Sequence, residues 1–281
     1  MEYLKTIFDI EKAVFIHGNI LDKELIQNTL SDYKINRVLH LAAVLPMRVG
    51  HDAHPGFYEV NSWGTANLLF NSAEAKLKRF VMNSTNGVYQ FKANKVDAPI
   101  SPDFPTGLTE HNSYGNSKAV AEYLLRELVV EGKLDAKILR PGEIYGPVVK
   151  RGINEPIYWK SLIDAAIEGR PFKLENHPEH RLDWVYAKDV AEVAVRLLMI
   201  DSTPHISYHA TKEKIIGIYD WKNMIDELFP DNKIELINCA KGGWEYPLSM
   251  KTVKDDLNYV PKYDLKRGIL DYVKWKKQLS F

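Results

Sequence analysis

Ser113-Tyr114-Gly115-Asn116-Ser117-Lys118 opens a stretch that reads as a helix over 114 to 132, terminated by Gly132, and it follows a strand ending in Asn83-Ser84-Thr85. Residues four apart on a helix share a face, so the Lys118 ammonium is expected beside the Tyr114 phenol. A free phenol titrates near pH 10. Ionising it near neutrality takes about 4 kcal/mol of differential stabilisation, part of which a neighbouring cation supplies. Thr85 adds a hydroxyl suited to holding a substrate oxygen in line for proton transfer. Tyr and Lys at this spacing occur on many helices, so the meaning of the pair depends on what surrounds it.

The surrounding motifs occur in a definite order. Arg37-Val38-Leu39-His40-Leu41-Ala42-Ala43 has the apolar character of a buried strand and ends in small residues. Asn61-Ser62-Trp63-Gly64-Thr65 is expected to open a helix that continues to Ala75, Lys78 to Met82 is the next strand, and Leu139 to Pro147 closes another. An amphipathic helix is expected from Lys23 to about Ser31, with Leu25, Ile26 and Leu30 on one face. Alternation of this kind predicts an α/β fold with a parallel sheet and helices on both faces. From about Val148 the spacing predicts helices over 156–169, 189–199 and 219–229 and strands over 182–186, 206–210 and 233–238. The segment from Gln90 to Asn112, with Pro99, Pro102 and Pro105, is expected to be irregular and to rim a cleft.

In this order the motifs resemble the extended branch of the short-chain dehydrogenase/reductase superfamily, the NAD-dependent epimerase/dehydratase type, from about Val14 to the C-terminus. The resemblance implies a Rossmann-like doubly wound parallel sheet with a smaller C-terminal α/β substrate lobe. The main domain would occupy 1–147 with parts of 182–212, and 148–281 would be mainly the interleaved lobe. It implies that Tyr114 is the general acid/base, Lys118 the cation that lowers its pKa, and Thr85 the substrate-positioning hydroxyl. Cofactor contacts would come from Asn19 and Ile20 near adenine, from Leu41, Ala42 and Ala43 along the adenosine, and from Asn61, Pro141, Gly142 and Ile144 near nicotinamide, with Tyr114 and Lys118. Ser84, Glu143, Arg48 and Arg181 would face the substrate. Arg181 sits one place early for the family's phosphate-binding arginine, and a carboxylate at Glu143 would repel a diphosphate placed beside it. The implied cofactor is NAD or NADP, with NAD favoured, and the implied assembly is a homodimer.

The start of the family pattern is not found. Sixteen glycines include no GxGxxG or GxxGxxG arrangement, and the first is Gly18, in Val14-Phe15-Ile16-His17-Gly18-Asn19-Ile20-Leu21-Asp22. That run resembles the family's third strand and adenine turn, so the sheet is expected to be N-terminally incomplete. Three repairs of the exposed strand edges are conceivable. The run at Ala13 to Ile16 moves beside Arg37 to Leu41, which is the favoured one; Tyr3 to Phe8 fills a place; or another chain donates a strand.

Lys and Arg together number 37, as do Asp and Glu, which gives no general electrostatic case for nucleic acid or an anionic membrane. Cys239 is the single cysteine, so no intrachain disulfide forms, in keeping with a reducing compartment. The N-terminus has no signal-peptide pattern, and the longest apolar run, Val38 to Met47, is too short to span a bilayer. A cytoplasmic protein follows. His51-x-x-His54 and His177-x-x-His180 lack a third ligand and read as surface histidines, so no metal is expected. Arg48, Arg151 and Arg181 are candidate anion clamps. The function the resemblance implies is an NAD(P)-dependent oxidoreductase or epimerase acting on a hydroxyl or carbonyl of a sugar-like substrate, nucleotide-sugars included. The alternative is a non-catalytic remnant, or truncated product, of this fold that has lost dinucleotide binding.

Overall fold

The computed structural model describes residues 12–50, 53–89, 99–147, 158–177, 181–239 and 246–278, without the side chains of Met47 and Arg48. Helix α1 (Lys23–Asp32) starts where the Asp22 carboxylate accepts the Leu25 N–H at 3.0 Å, and it buries Ile26 and Leu30, four residues apart. Strand β1 (Arg37–His40) and the short α2 (Pro46–Val49) lead to a π-helical stretch, Phe57–Gly64, that runs directly into α3 (Thr65–Glu74). Strand β2 (Arg79–Asn83) precedes α4 (Ser113–Val130), capped by the Asn112 side chain on Gly115 N–H at 3.0 Å. Then come β3 (Ala136–Pro141), β4 (Glu143–Tyr145), α5 (Tyr158–Glu168), β5 (Phe172–Glu175), β6 (Leu182–Tyr186) and α6 (Ala187–Met199). The chain continues through β7 (Ser207–Ala210), β8 (Ile215–Ile216), α7 (Ile218–Leu228), β9 (Ile234–Ile237), α8 (Lys251–Leu257) and α9 (Leu265–Gln278).

The main sheet is parallel, in the order β1-β2-β3-β7, with Leu39 opposite Val81, Met82 opposite Ile138 and Leu139 opposite Tyr208. Alternate residues of its strands serve opposite layers. Phe80, Met82, Ala136 and Ile138 pack with α1, α3 and α4 through Ile26, Leu30, Leu69, Leu125 and Leu128. Val81, Leu139 and Tyr208 pack with α6 and α8 through Val193, Leu197 and Val253. Because both faces are covered, β2 and β3 are buried almost throughout, Arg79, Lys137 and Arg140 included.

Two smaller sheets, β4-β6-β8 and β5-β9, enclose an aromatic core that includes Tyr145, Trp159, Trp184, Tyr186, Trp221 and Tyr272. The chain steps between sheets at Gly142, whose N–H donates to the Ala210 carbonyl at 2.9 Å. A Cβ there would lie 2.2 Å from the Asp183 carbonyl oxygen, so only glycine permits β3 to turn into β4 at this point.

The favoured edge repair does not occur. Ala13–Gly18 forms no strand, and among the described residues no strand lies outside β1. The segment is drawn onto α1 instead. Gly18 packs so closely that a Cβ would lie 1.9 Å from Leu25 Cδ2, and Asn19 immediately turns the chain by accepting the Leu21 and Asp22 N–H groups at 3.0 Å. This leaves an apolar groove of about 280 Å³ lined by Ile16, Ile20, Leu25, Val38 and Leu68, with Val14, Phe15 and Ile16 exposed. Tyr3 to Phe8 lies outside the described residues. The helix expected to open at Asn61 has already begun by Phe57, which places Asn61 inside its π-helical part.

Candidate active site

In an open parallel sheet, ligands bind beyond the carboxyl ends of the strands, because there the loops diverge and leave room between them. Here the ends of β1, β2 and β3 deliver Leu41–Val44, Ser84–Thr85 and Pro141–Glu143, and the N-terminal turn of α4 adds Tyr114 and Lys118. The structure thus brings Ser84, Thr85, Tyr114, Lys118, Pro141, Gly142 and Glu143 to one edge of the sheet.

Thr85 is extended, and its Oγ1 accepts the Gly87 N–H at 3.1 Å, capping a single turn of 3₁₀ helix at Asn86–Val88. The same oxygen donates to the Asn86 side chain at 3.4 Å and lies near enough to the Tyr114 phenol to oppose the rise in its pKa. The Tyr114 ring packs edge-on against fully buried Phe57, with centroids 5.9 Å apart, and this fixes the direction of the hydroxyl. Burial pushes the phenol up to about 12; the Glu143 carboxylate adds to the rise, and the Thr85 hydroxyl opposes it.

The expected lowering by Lys118 is not seen in this state. Lys118 does lie one turn along the same helix, but its Nζ donates to the Asn83 carbonyl at 2.7 Å. Burial lowers this ammonium to about 8, against the opposing pull of Glu122 one turn further on. Its charge also helps to keep His40 neutral. His40 sits at about 3, chiefly because it is buried, and its Nε2 is 2.8 Å from the Thr65 hydroxyl. The Ser84 hydroxyl is buried at the end of β2 with no hydrogen-bond partner among the described residues.

Asn61 is fully buried and clamps the exit of β1, with Oδ1 accepting from Val44 N–H at 2.8 Å and Nδ2 donating to Val44 O and Ser117 Oγ at 3.0 and 3.1 Å. Ser117 in turn donates to the Tyr114 carbonyl at 2.7 Å, so Asn61 ties the β1 loop to the first turn of α4. Leu41 is exposed, Ala42 is exposed and Ala43 half-buried, which leaves an open shelf at the end of β1.

Ile144 lies in β4 and packs against the α6 layer. Asn19 and Ile20 stand apart, beside α3, with the Asn67 side chain donating to the Ile20 carbonyl at 2.8 Å. Arg181 is exposed just ahead of β6, three residues before Trp184, the register partner of Glu143. The Arg48 side chain, Arg151, His51 and His180 lie outside the described residues.

Sequence reasoning missed Phe57, His40, Glu122 and Arg140. Only Glu122 carried a signal, being four residues after Lys118 on the same helix.

The chain matches the model of the NAD dependent epimerase/dehydratase family over residues 3–207. It is 25% identical to human dTDP-D-glucose 4,6-dehydratase over 288 aligned residues, covering 99% of this chain and 79% of that one. Among solved structures it is similar to UDP-glucose 4-epimerase from Thermotoga maritima with UDP-glucose, at TM-score 0.81 and 20% identity over 96% of this chain and 86% of that one. It is also similar to dTDP-glucose 4,6-dehydratase from Bacillus anthracis in complex with NAD, at TM-score 0.77 and 20% identity over 99% and 84%. The family model spans most of the chain, so the chain belongs to the NAD dependent epimerase/dehydratase family of the extended short-chain dehydrogenase/reductase superfamily.

Proposed function

We propose that this chain is an NAD-dependent enzyme that oxidises a hydroxyl of a nucleotide-linked sugar and, by returning the hydride to the keto carbon, inverts or reduces it. The observation that carries this reading is the placement of Thr85 and of the helix turn bearing Tyr114 at the carboxyl edge of the sheet, with the buried Lys118 ammonium one helical turn along. Thr85 orients the reacting hydroxyl and Tyr114 exchanges its proton. Lys118, lifted from the Asn83 carbonyl, supplies positive charge beside the phenol.

Bound NAD would supply the hydride acceptor. The residues fit its nicotinamide-ribose end: hydroxyl and ammonium donors converge at Thr85, Tyr114 and Lys118, and small Ala42 and Ala43 leave the shelf beyond β1 open. The chain has no Gly-rich turn to cradle the diphosphate. NAD rather than NADP is favoured by the NAD complex of the similar dehydratase.

Glu143 requires that the substrate diphosphate point away from Tyr114.

Titration with NADH, followed by nicotinamide fluorescence, is expected to show saturable binding, and NAD with UDP-glucose or dTDP-glucose to show turnover. Absence of binding at millimolar NADH would leave only kinship of fold.

We read the protein as cytoplasmic, on its single cysteine; among the described residues no helix is long and apolar enough to cross a membrane. We retain the division into a main domain of 1–147 with parts of 182–212 and a substrate lobe over most of 148–281, with Met250, Val253, Leu257 and Tyr259 packed in the core of the main sheet. A homodimer is favoured by exposed apolar residues spaced seven apart on the outer faces of adjacent helices. Trp63 (68% exposed) and Phe70 (48%) lie along the π-helical stretch and α3, and Tyr123 (51%) and Val130 (81%) along α4. Sedimentation at micromolar concentration is expected to give a dimer; a monomer would remove this assignment.

A further inference from the structure

Behind the candidate site lies a buried polar network that the proposed chemistry does not use. Arg140 and Glu122 are 0% and 1% exposed. The guanidinium grips the carboxylate with both arms, Nε to Oε1 at 2.8 Å and Nη2 to Oε2 at 2.5 Å. Its Nη1 donates to the Tyr89 hydroxyl at 2.9 Å and to the Pro102 carbonyl at 2.7 Å, and Cζ lies 5.0 Å from the Tyr89 ring centre. The Tyr89 hydroxyl hydrogen-bonds His209 Nε2, and His209 Nδ1 lies 3.0 Å from the Ser249 carbonyl.

The positions of these residues matter more than their number. Glu122 is one helical turn beyond Lys118, Tyr89 is four residues beyond Thr85, and Arg140 directly precedes Pro141-Gly142-Glu143. One guanidinium therefore joins the helix bearing Tyr114 and Lys118, the turn bearing Thr85, the strand leading to Glu143, and the cleft rim at Pro102. A buried ion pair is a poor source of stability, since well-packed apolar residues of similar volume often serve as well or better. What it gives is fixed relative placement of the segments it bridges.

We propose that Arg140 and Glu122 are positioning residues for the acid/base group, Arg140 setting the register of Thr85 and Glu143 against α4, and Glu122 holding Lys118 charged. This rests on the enzymatic reading above. Among the described residues the groups facing Lys118 are Glu122 from α4, His40 from β1 and the Asn83 carbonyl from β2; His40 is neutral at pH 7, so Glu122 is the one anion of these acting on it.

The test begins with the 15N NMR titration of the Lys118 Nζ, assigned with Lys118→Ala, in wild type and Glu122→Gln. It needs neither cofactor nor substrate, so its outcome is separate from that of the enzymatic reading. Glu122→Gln is expected to move the Lys118 midpoint down by about one pH unit. The paired variant Glu122→Leu/Arg140→Met is expected to stay folded, to shift Lys118 likewise, and to lose about tenfold or more in kcat with UDP-glucose or dTDP-glucose and NAD, with KM little changed. An unmoved Lys118 midpoint, an apolar pair that fails to fold, or an apolar pair that turns over at the wild-type rate overturns the proposal. If wild type turns over neither probe, the enzymatic reading fails while the Nζ titration still decides the role of Glu122.

Discussion

Replacing Tyr114 by Phe is expected to lower turnover by about 10²–10⁴-fold while the protein remains folded. The substitution removes one hydroxyl and keeps the ring that packs on Phe57. The free phenol is held at about 12 by burial first and the Glu143 carboxylate second, so below pH 9 nearly all of it is protonated. If the phenolate is the base that takes up the substrate proton, kcat/KM for alcohol oxidation should rise about tenfold per pH unit from about pH 6 to 8. It should then bend over as Lys118, at about 8, loses its charge. A Tyr114→Phe protein with wild-type turnover, or a pH profile flat across that range, removes Tyr114 from the chemistry.

The parts of this site visible in the sequence were those governed by local periodicity. Tyr114 and Lys118 share a helix face because four residues make about one turn, and β2 lies within one residue of its expected bounds, whereas β3 begins three residues before the expected Leu139. The bounds of β6 are those read from the sequence, and α4 and α6 are displaced by one or two residues. What escaped depends on contacts between distant segments. The sequence does not pair Glu122 with Arg140, because nothing local places two residues eighteen apart in one interior. The Asn83 carbonyl that takes the Lys118 ammonium is a backbone group and leaves no sequence signal at all. Ala13–Ile16 has strand-like composition, yet it forms no strand, and Val14, Phe15 and Ile16 stay exposed while Gly18 packs on Leu25 of α1. Strand β5 alternates for four residues only, and its partner β9 lies some sixty positions away.

Mild acid is expected to unfold this protein cooperatively, because two imidazoles are buried neutral behind the site. His40 and His209 are 3% and 0% exposed, and burial, the largest cause for each, depresses both from 6.5 to about 3. Lys118 adds to the depression of His40 and Arg140 to that of His209, whose bond to the Ser249 carbonyl opposes it. The unfolded chain therefore binds more protons than the native one between about pH 6.5 and 3, and stability must fall as pH falls through that window. The contribution is complete above the unfolded value and is lost as pH drops toward the native one. Each histidine accounts for about 1.4 kcal/mol per pH unit well below 6.5, and on the order of 4 kcal/mol across the whole window. Two together rival the entire stability of an average domain, about 5–15 kcal/mol. Paired carboxylates such as Asp256 and Asp271 are held below their ordinary 3.8 and act in the same direction, but only at lower pH. The interval from about pH 6 to 4.5 thus belongs to the histidines. Denaturant unfolding at a series of pH values should give a slope approaching 2.7 kcal/mol per unit near pH 5, about half of it surviving in His209→Asn and little in the double variant with His40→Asn. A wild-type slope near zero, or a double variant as acid-sensitive as wild type, would show that these imidazoles are not what acid attacks.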